Sequence, residues 1–125
     1  MLKSYPALFH KMNNGFWVEI PGFGGGTQGE DIEEAIQNAI HMLSSAIAIH
    51  MDEGIPLPKT EDINSFNIQD GFVTMIQANP VPFLKNGKTV RKNVTVPEWI
   101  VKMADKTNVN YSEVLTNALR EKLNV

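Results

Sequence analysis

Lys88-Thr89-Val90-Arg91-Lys92-Asn93-Val94-Thr95-Val96 is a short alternating run, and Pro97 closes it ahead of two helical patterns. On a strand, Val90, Val94 and Val96 share one side while Arg91, Asn93 and Thr95 share the other. Lys92 breaks the inward phase, which suits the frayed end of a ribbon. One strand followed by two short helices encloses no core, because both strand edges are left open. Pairing with the same strand of a second chain removes that defect. A two-stranded ribbon fits the DNA major groove, where outward side chains reach base edges. Arg91 donates in bidentate fashion to guanine in such a ribbon, Asn93 pairs with adenine, and Thr95 offers a hydroxyl and a methyl. Lys88, at the start of the run, is expected to contact DNA with them.

The two helical patterns agree with this reading. Pro97 suits the first position of a helix, and Ile100, Met103, Ala104 and Thr107 recur as a narrow apolar stripe. Asn110 is placed to cap a second helix, with Glu113 at capping-box spacing, and Val114, Leu115, Ala118 and Leu119 form its apolar side. The free N–H groups at that helix start suit a DNA phosphate, so Asn110 and Ser112 join the candidate DNA contacts. The strand and two helices resemble the ribbon-helix-helix family of repressors, with a first helix shorter than many of them use.

Upstream, Asn79-Pro80-Val81-Pro82 and Asn86-Gly87 read as a linker, giving a body over 1–79, a linker over 80–87 and a tail over 88–125. In the body, Tyr5 to Lys11 and Phe16 to Ile20 alternate around Asn13-Asn14-Gly15. This spacing predicts an antiparallel hairpin, since Asn-Gly tolerates the positive φ of a tight turn. Phe16, Val18 and Ile20 share one face; Trp17 and Glu19 share the other. Thr27-Gln28-Gly29 is a brief third strand. Asp31 then caps a long amphipathic helix with Glu34 three positions on, and Ile32, Ala35, Ile36, Ala39, Ile40, Leu43, Ala46, Ile47 and His50 form its stripe. Gly54 ends it, and Phe72 to Gln77 is a last strand. The order implies an α+β domain with one helix across a three- to four-stranded antiparallel sheet.

The net charge of −3 conceals a split. Residues 1–79 hold three basic residues against ten acids, net −7, while residues 80–125 hold eight against four, net +4. Polyanionic DNA suits the tail, and a basic protein suits the body. Cysteine is absent, which excludes disulfides and thiolate metal sites. No apolar run approaches the roughly 20 residues needed to cross a bilayer. A signal-peptide layout is missing as well, so a cytoplasmic location away from any membrane is expected.

Tyr5-Pro-Ala-Leu-Phe-His-Lys11, Gly15-Phe-Trp-Val-Glu-Ile-Pro-Gly22 and Thr27-Gln-Gly-Glu-Asp-Ile-Glu-Glu-Ala35 are, in this order, similar to the HicB antitoxin family. The resemblance implies a body with a partial ribonuclease H-like fold that binds a small basic toxin, HicA, an mRNA-cleaving ribonuclease, and masks its active face. It implies further that the tail represses the shared promoter as a dimer. Glu19, Glu30, Asp31, Glu33 and Glu34 are the acids expected to face the toxin, although those at the helix start also stabilise its dipole. Two other readings stay open. One is a stand-alone repressor whose body binds a ligand or another protein. The other is a metal-dependent nuclease, but Glu19 is the sole acid on a convincing early strand. His10, His41 and His50 look isolated, His50 as a packed side chain. No metal site and no cofactor is therefore expected.

Overall fold

The computed structural model describes residues 1–125, which divide into two compact units, Met1–Asn86 and Gly87–Val125. In the first, β1 (Lys3–Met12) and β2 (Gly15–Glu19) form the expected hairpin, closed at the Met12–Gly15 pair. The positive φ of the turn falls on Gly15 alone, at 114°, and on neither asparagine. A Cβ there would lie 2.1 Å from the Gly29 carbonyl oxygen, so only glycine fits.

β3 (Gly26–Gly29) pairs with β2, and β4 (Gly71–Ala78) pairs with β1 on its other side. The sheet is antiparallel throughout, in the order β3-β2-β1-β4. Its register explains how a proline sits inside β1. The Lys11 N–H donates to the Asp70 carbonyl at 2.7 Å, so the bonded pairs with β4 fall on the odd residues of β1. Pro6 therefore occupies a non-bonded pair facing Met75, at a point where β2 no longer runs alongside.

α1 (Ile32–Glu53) lies across one sheet face. Asp31 caps it by accepting the Glu34 N–H at 2.8 Å, and Gly54 closes it at a φ of 68°. Ala35, Ala39, Leu43 and Ile47, four residues apart, meet Tyr5, Ala7, Phe9, Val18, Ile20, Ile76 and Ala78 in the core. The buried stripe is wider than the sequence pattern, taking in Ser44 and Ala48 as well.

Residues 80–86, expected as linker, pack on this body. Pro80 is buried, Val81–Phe83 forms a turn of 3-10 helix, and the Phe83 ring lies 5.0 Å from that of His41. The Asp52 carboxylate accepts the Lys85 and Asn86 N–H groups at 2.9 and 3.3 Å. The prolines forbid a regular ladder there; they do not forbid packing.

In the second unit, α2 (Glu98–Lys106) and α3 (Tyr111–Leu123) are the two expected helices. Pro97 stands one place before the expected position, as the residue flanking α2 at φ −52° and ψ 136°. Asn108 turns the chain at a φ of 54°, and the Tyr111 hydroxyl donates to the Asp105 carboxylate. Residues 88–96 join no ladder within the single chain. None of the residues from Gly87 to Val125 is buried.

Candidate functional site

Around the segment preceding α2, Arg91, Asn93 and Ser112 line one open groove of about 870 Å³ with Thr89, Val90, Lys92, Leu115 and Thr116. Three of the six expected DNA contacts thus share a surface. Asn110 has another duty: its side chain accepts the Glu113 N–H at 3.1 Å and caps α3. Lys88 and Thr95 lie outside the groove lining. The apolar side chains of this unit stand in solvent, Val90 with 81% of its surface exposed, and with it Val94, Trp99, Met103, Val114, Leu119 and Leu123. Units that fold alone rarely leave so many large apolar side chains uncovered.

The acids expected on the body fall into two places. Glu30 and Glu34 line a groove of about 270 Å³ with Met12, Asn14, Gln28 and Gly29, beside the hairpin turn. Asp31 is taken up in capping α1, and Glu33 is exposed in its first turn. Glu19 lies elsewhere, on the sheet face opposite α1, where its Oε1 meets His10 Nε2 at 3.0 Å. The other imidazole nitrogen, Nδ1, lies 2.8 Å from Asp70 Oδ1.

His10, which looks isolated along the chain, is therefore bracketed by two carboxylates. The hydrogen bond to Asp70 raises its pKa above 6.5; burial opposes this, and the bond to Glu19 adds to the rise. The same bond lowers the pKa of Asp70. Both ring nitrogens face acceptor oxygens, so the arrangement favours the imidazolium, which donates twice. Asp70 lies sixty residues from His10, and no local pattern announces the contact. The two carboxylates flank the ring, and no group of three His, Asp or Glu side chains converges in a way that could hold a metal ion. His50 is packed as expected, its ring 5.5 Å from that of Phe23.

No helix is long and apolar enough to cross a membrane. The family model described as a HicB-like antitoxin of bacterial toxin–antitoxin systems matches residues 5–120. No curated protein matches the chain. Among solved structures, a toxin–antitoxin complex from Streptococcus pneumoniae contains a chain 26% identical with a TM-score of 0.63, aligned over 98% of this chain and 99% of that one. The HicA3 and HicB3 toxin–antitoxin complex contains a chain 25% identical with a TM-score of 0.50, aligned over 62% of this chain and 100% of that one. The HicB antitoxin of Burkholderia pseudomallei shares the fold at 18% identity, with a TM-score of 0.53 over 97% and 98%. With the matched span taking in most of both units, the chain belongs to the HicB-like antitoxin family of bacterial toxin–antitoxin systems.

Proposed function

We propose that this antitoxin has two separable activities: the 1–86 body masks the active face of a HicA-type mRNA-cleaving toxin, and the 87–125 unit represses the promoter as a dimer. The protein acts by binding and carries out no reaction of its own. One observation carries the reading. The chain divides into an acidic body with a complete core and a basic unit with no buried residue.

A unit without an interior does not fold stably alone, since little apolar burial offsets its chain entropy. A second copy is the economical remedy. Pairing two 88–96 segments satisfies their backbone groups and covers Val90, Val94 and Val96, and the facing helices then cover Ile100, Val114 and Leu119. Arg91, Asn93 and Thr95 stand on the other side of that ribbon for bases, and Lys88 and the α3 N-terminus with Ser112 for phosphates.

The toxin assignment rests on the family and on the two solved toxin–antitoxin complexes of similar fold. The acidic body suits a basic nuclease, because covering an RNA-binding surface with negative charge excludes RNA. Glu19, Glu30, Glu33 and Glu34 contribute to that field. Co-expression with the HicA-type toxin of the same genome tests the proposal. A stable complex without RNA cleavage, and retention of promoter DNA by the same complex or by the free chain, are the expected results. Unabated cleavage, or a chain that stays monomeric at micromolar concentration, contradicts it.

A further inference from the structure

The sheet face opposite α1 carries a short row across three strands: Gln28 on β3, Trp17 on β2 and His10 on β1. One step along the strands lie Gly26, Glu19 and Leu8. The β1 end of this patch is closed, with Leu8 buried, whereas Trp17 keeps 38% of its surface in solvent and Gln28 is exposed. A large exposed aromatic in the middle of a sheet calls for a reason.

The indole is also held in place. A Cβ on Gly26 would lie 2.5 Å from Trp17 Cζ2 and 2.7 Å from Cη2, so the benzo edge of the ring occupies the space that glycine leaves. Beside it, Glu19 is anchored through Oε1 by His10, while Oε2 makes no bond within the chain. An aromatic surface and a carboxylate oxygen thus sit side by side, both placed before any partner arrives. A guanidinium or ammonium group matches that pair: it stacks on the indole and donates to the carboxylate. Prior placement of both groups lowers the entropy lost on binding.

We propose that Trp17, Glu19 and Gln28 form the toxin-docking surface, with Trp17 as its central anchor receiving an arginine or lysine side chain of the toxin. The proposal rests on the antitoxin reading above and names the surface that reading uses. A basic partner fits better than a second copy of the body, since two bodies of net charge −7 over residues 1–79 repel each other. The groove at the helix start shares Gln28 with this face but offers no aromatic side chain to receive a cation.

Calorimetric titration of the intact chain with the purified HicA-type toxin provides the test, comparing wild type with Trp17→Ala, Gln28→Arg, Glu34→Gln and Glu61→Gln. Trp17→Ala and Gln28→Arg are each expected to weaken binding at least about tenfold, as loss of an anchor does. Glu61→Gln changes the net charge by the same amount as Gln28→Arg, on an exposed loop residue, and is expected to leave the affinity alone. If Trp17→Ala unfolds the body, Gln28→Arg decides together with Glu34→Gln, which alters the helix-start groove that Gln28 also lines. Weakening by Gln28→Arg alone supports the proposal, and equal weakening by Glu34→Gln assigns the contact to that groove and overturns it. Wild-type affinity in Gln28→Arg overturns the proposal, as does equal weakening by Glu61→Gln. A change in oligomer mass without a change in toxin affinity assigns the face to self-association and overturns it too. A wild-type chain that binds no toxin defeats the antitoxin reading itself, and this surface with it.

Discussion

His10 shows how a single residue can couple the body to pH. Its imidazolium joins Glu19 on β2 to Asp70 just ahead of β4, so a proton ties two strands to the segment entering a third. A pKa raised on folding stabilises the folded form fully below the ordinary 6.5, and that contribution disappears as pH rises through the raised value. The depressed pKa of Asp70 acts at the other end: its contribution is present above the ordinary carboxylate range and lost as pH falls through the lowered value. Wild type should therefore lose melting temperature between pH 6 and 9 more steeply than His10→Gln, as measured by circular dichroism at constant ionic strength. Parallel curves would refute the coupling. Arg91 is the residue to change on the basic unit. Arg91→Ala should weaken operator binding by roughly 1–3 kcal/mol and leave toxin neutralisation intact, as read by gel-shift titration and a toxin rescue assay.

Among the elements, α1 dominates the stability of the body. Leu43, fully buried, sits midway along a row of small and branched side chains spaced by four, in the same core as Phe9 and Val18 of the sheet. The alanines at 35 and 39 bring the helix close to the sheet, which leaves little room for repacking around a lost side chain. Leu43→Ala is expected to cost about 2–5 kcal/mol in urea denaturation of the intact chain. The 80–86 segment behaves as a strap on this helix through Phe83 and Asp52, although its prolines read as linker. By contrast, α2 and α3 present amphipathic stripes to solvent, and their order within one chain depends on caps and on the Tyr111–Asp105 bond.

At the scale of the whole molecule, the two units make opposite demands. The body satisfies its own backbone and core, so residues 1–86 alone should fold, remain monomeric and still bind the toxin while losing all promoter affinity. Analytical ultracentrifugation with a toxin pull-down checks this; loss of toxin binding in the folded fragment would break the division of labour. The 87–125 unit reaches an interior only by association. Its helical signal should therefore melt at a temperature that rises with protein concentration, whereas the transition of the body does not. Coincident, concentration-independent melting would argue against dimerisation.

The hairpin, the length and caps of α1, the short strand at Thr27 and the two tail helices were legible in the sequence, because local pattern and turn chemistry specify them. The same alternation correctly put Val18 inward and Trp17 outward. Only the tertiary structure brought Asp70 to His10, set Trp17 against Gly26 and laid Phe83 against the helix. Those contacts depend on which strands become neighbours. The pairing of β1 with β4 across some sixty residues leaves no trace in any short window of the chain. The apolar stripes of the tail were visible as well, and the structure added that nothing within the 87–125 unit buries them. Periodicity reports which side of an element avoids water, and only packing in three dimensions decides what covers it.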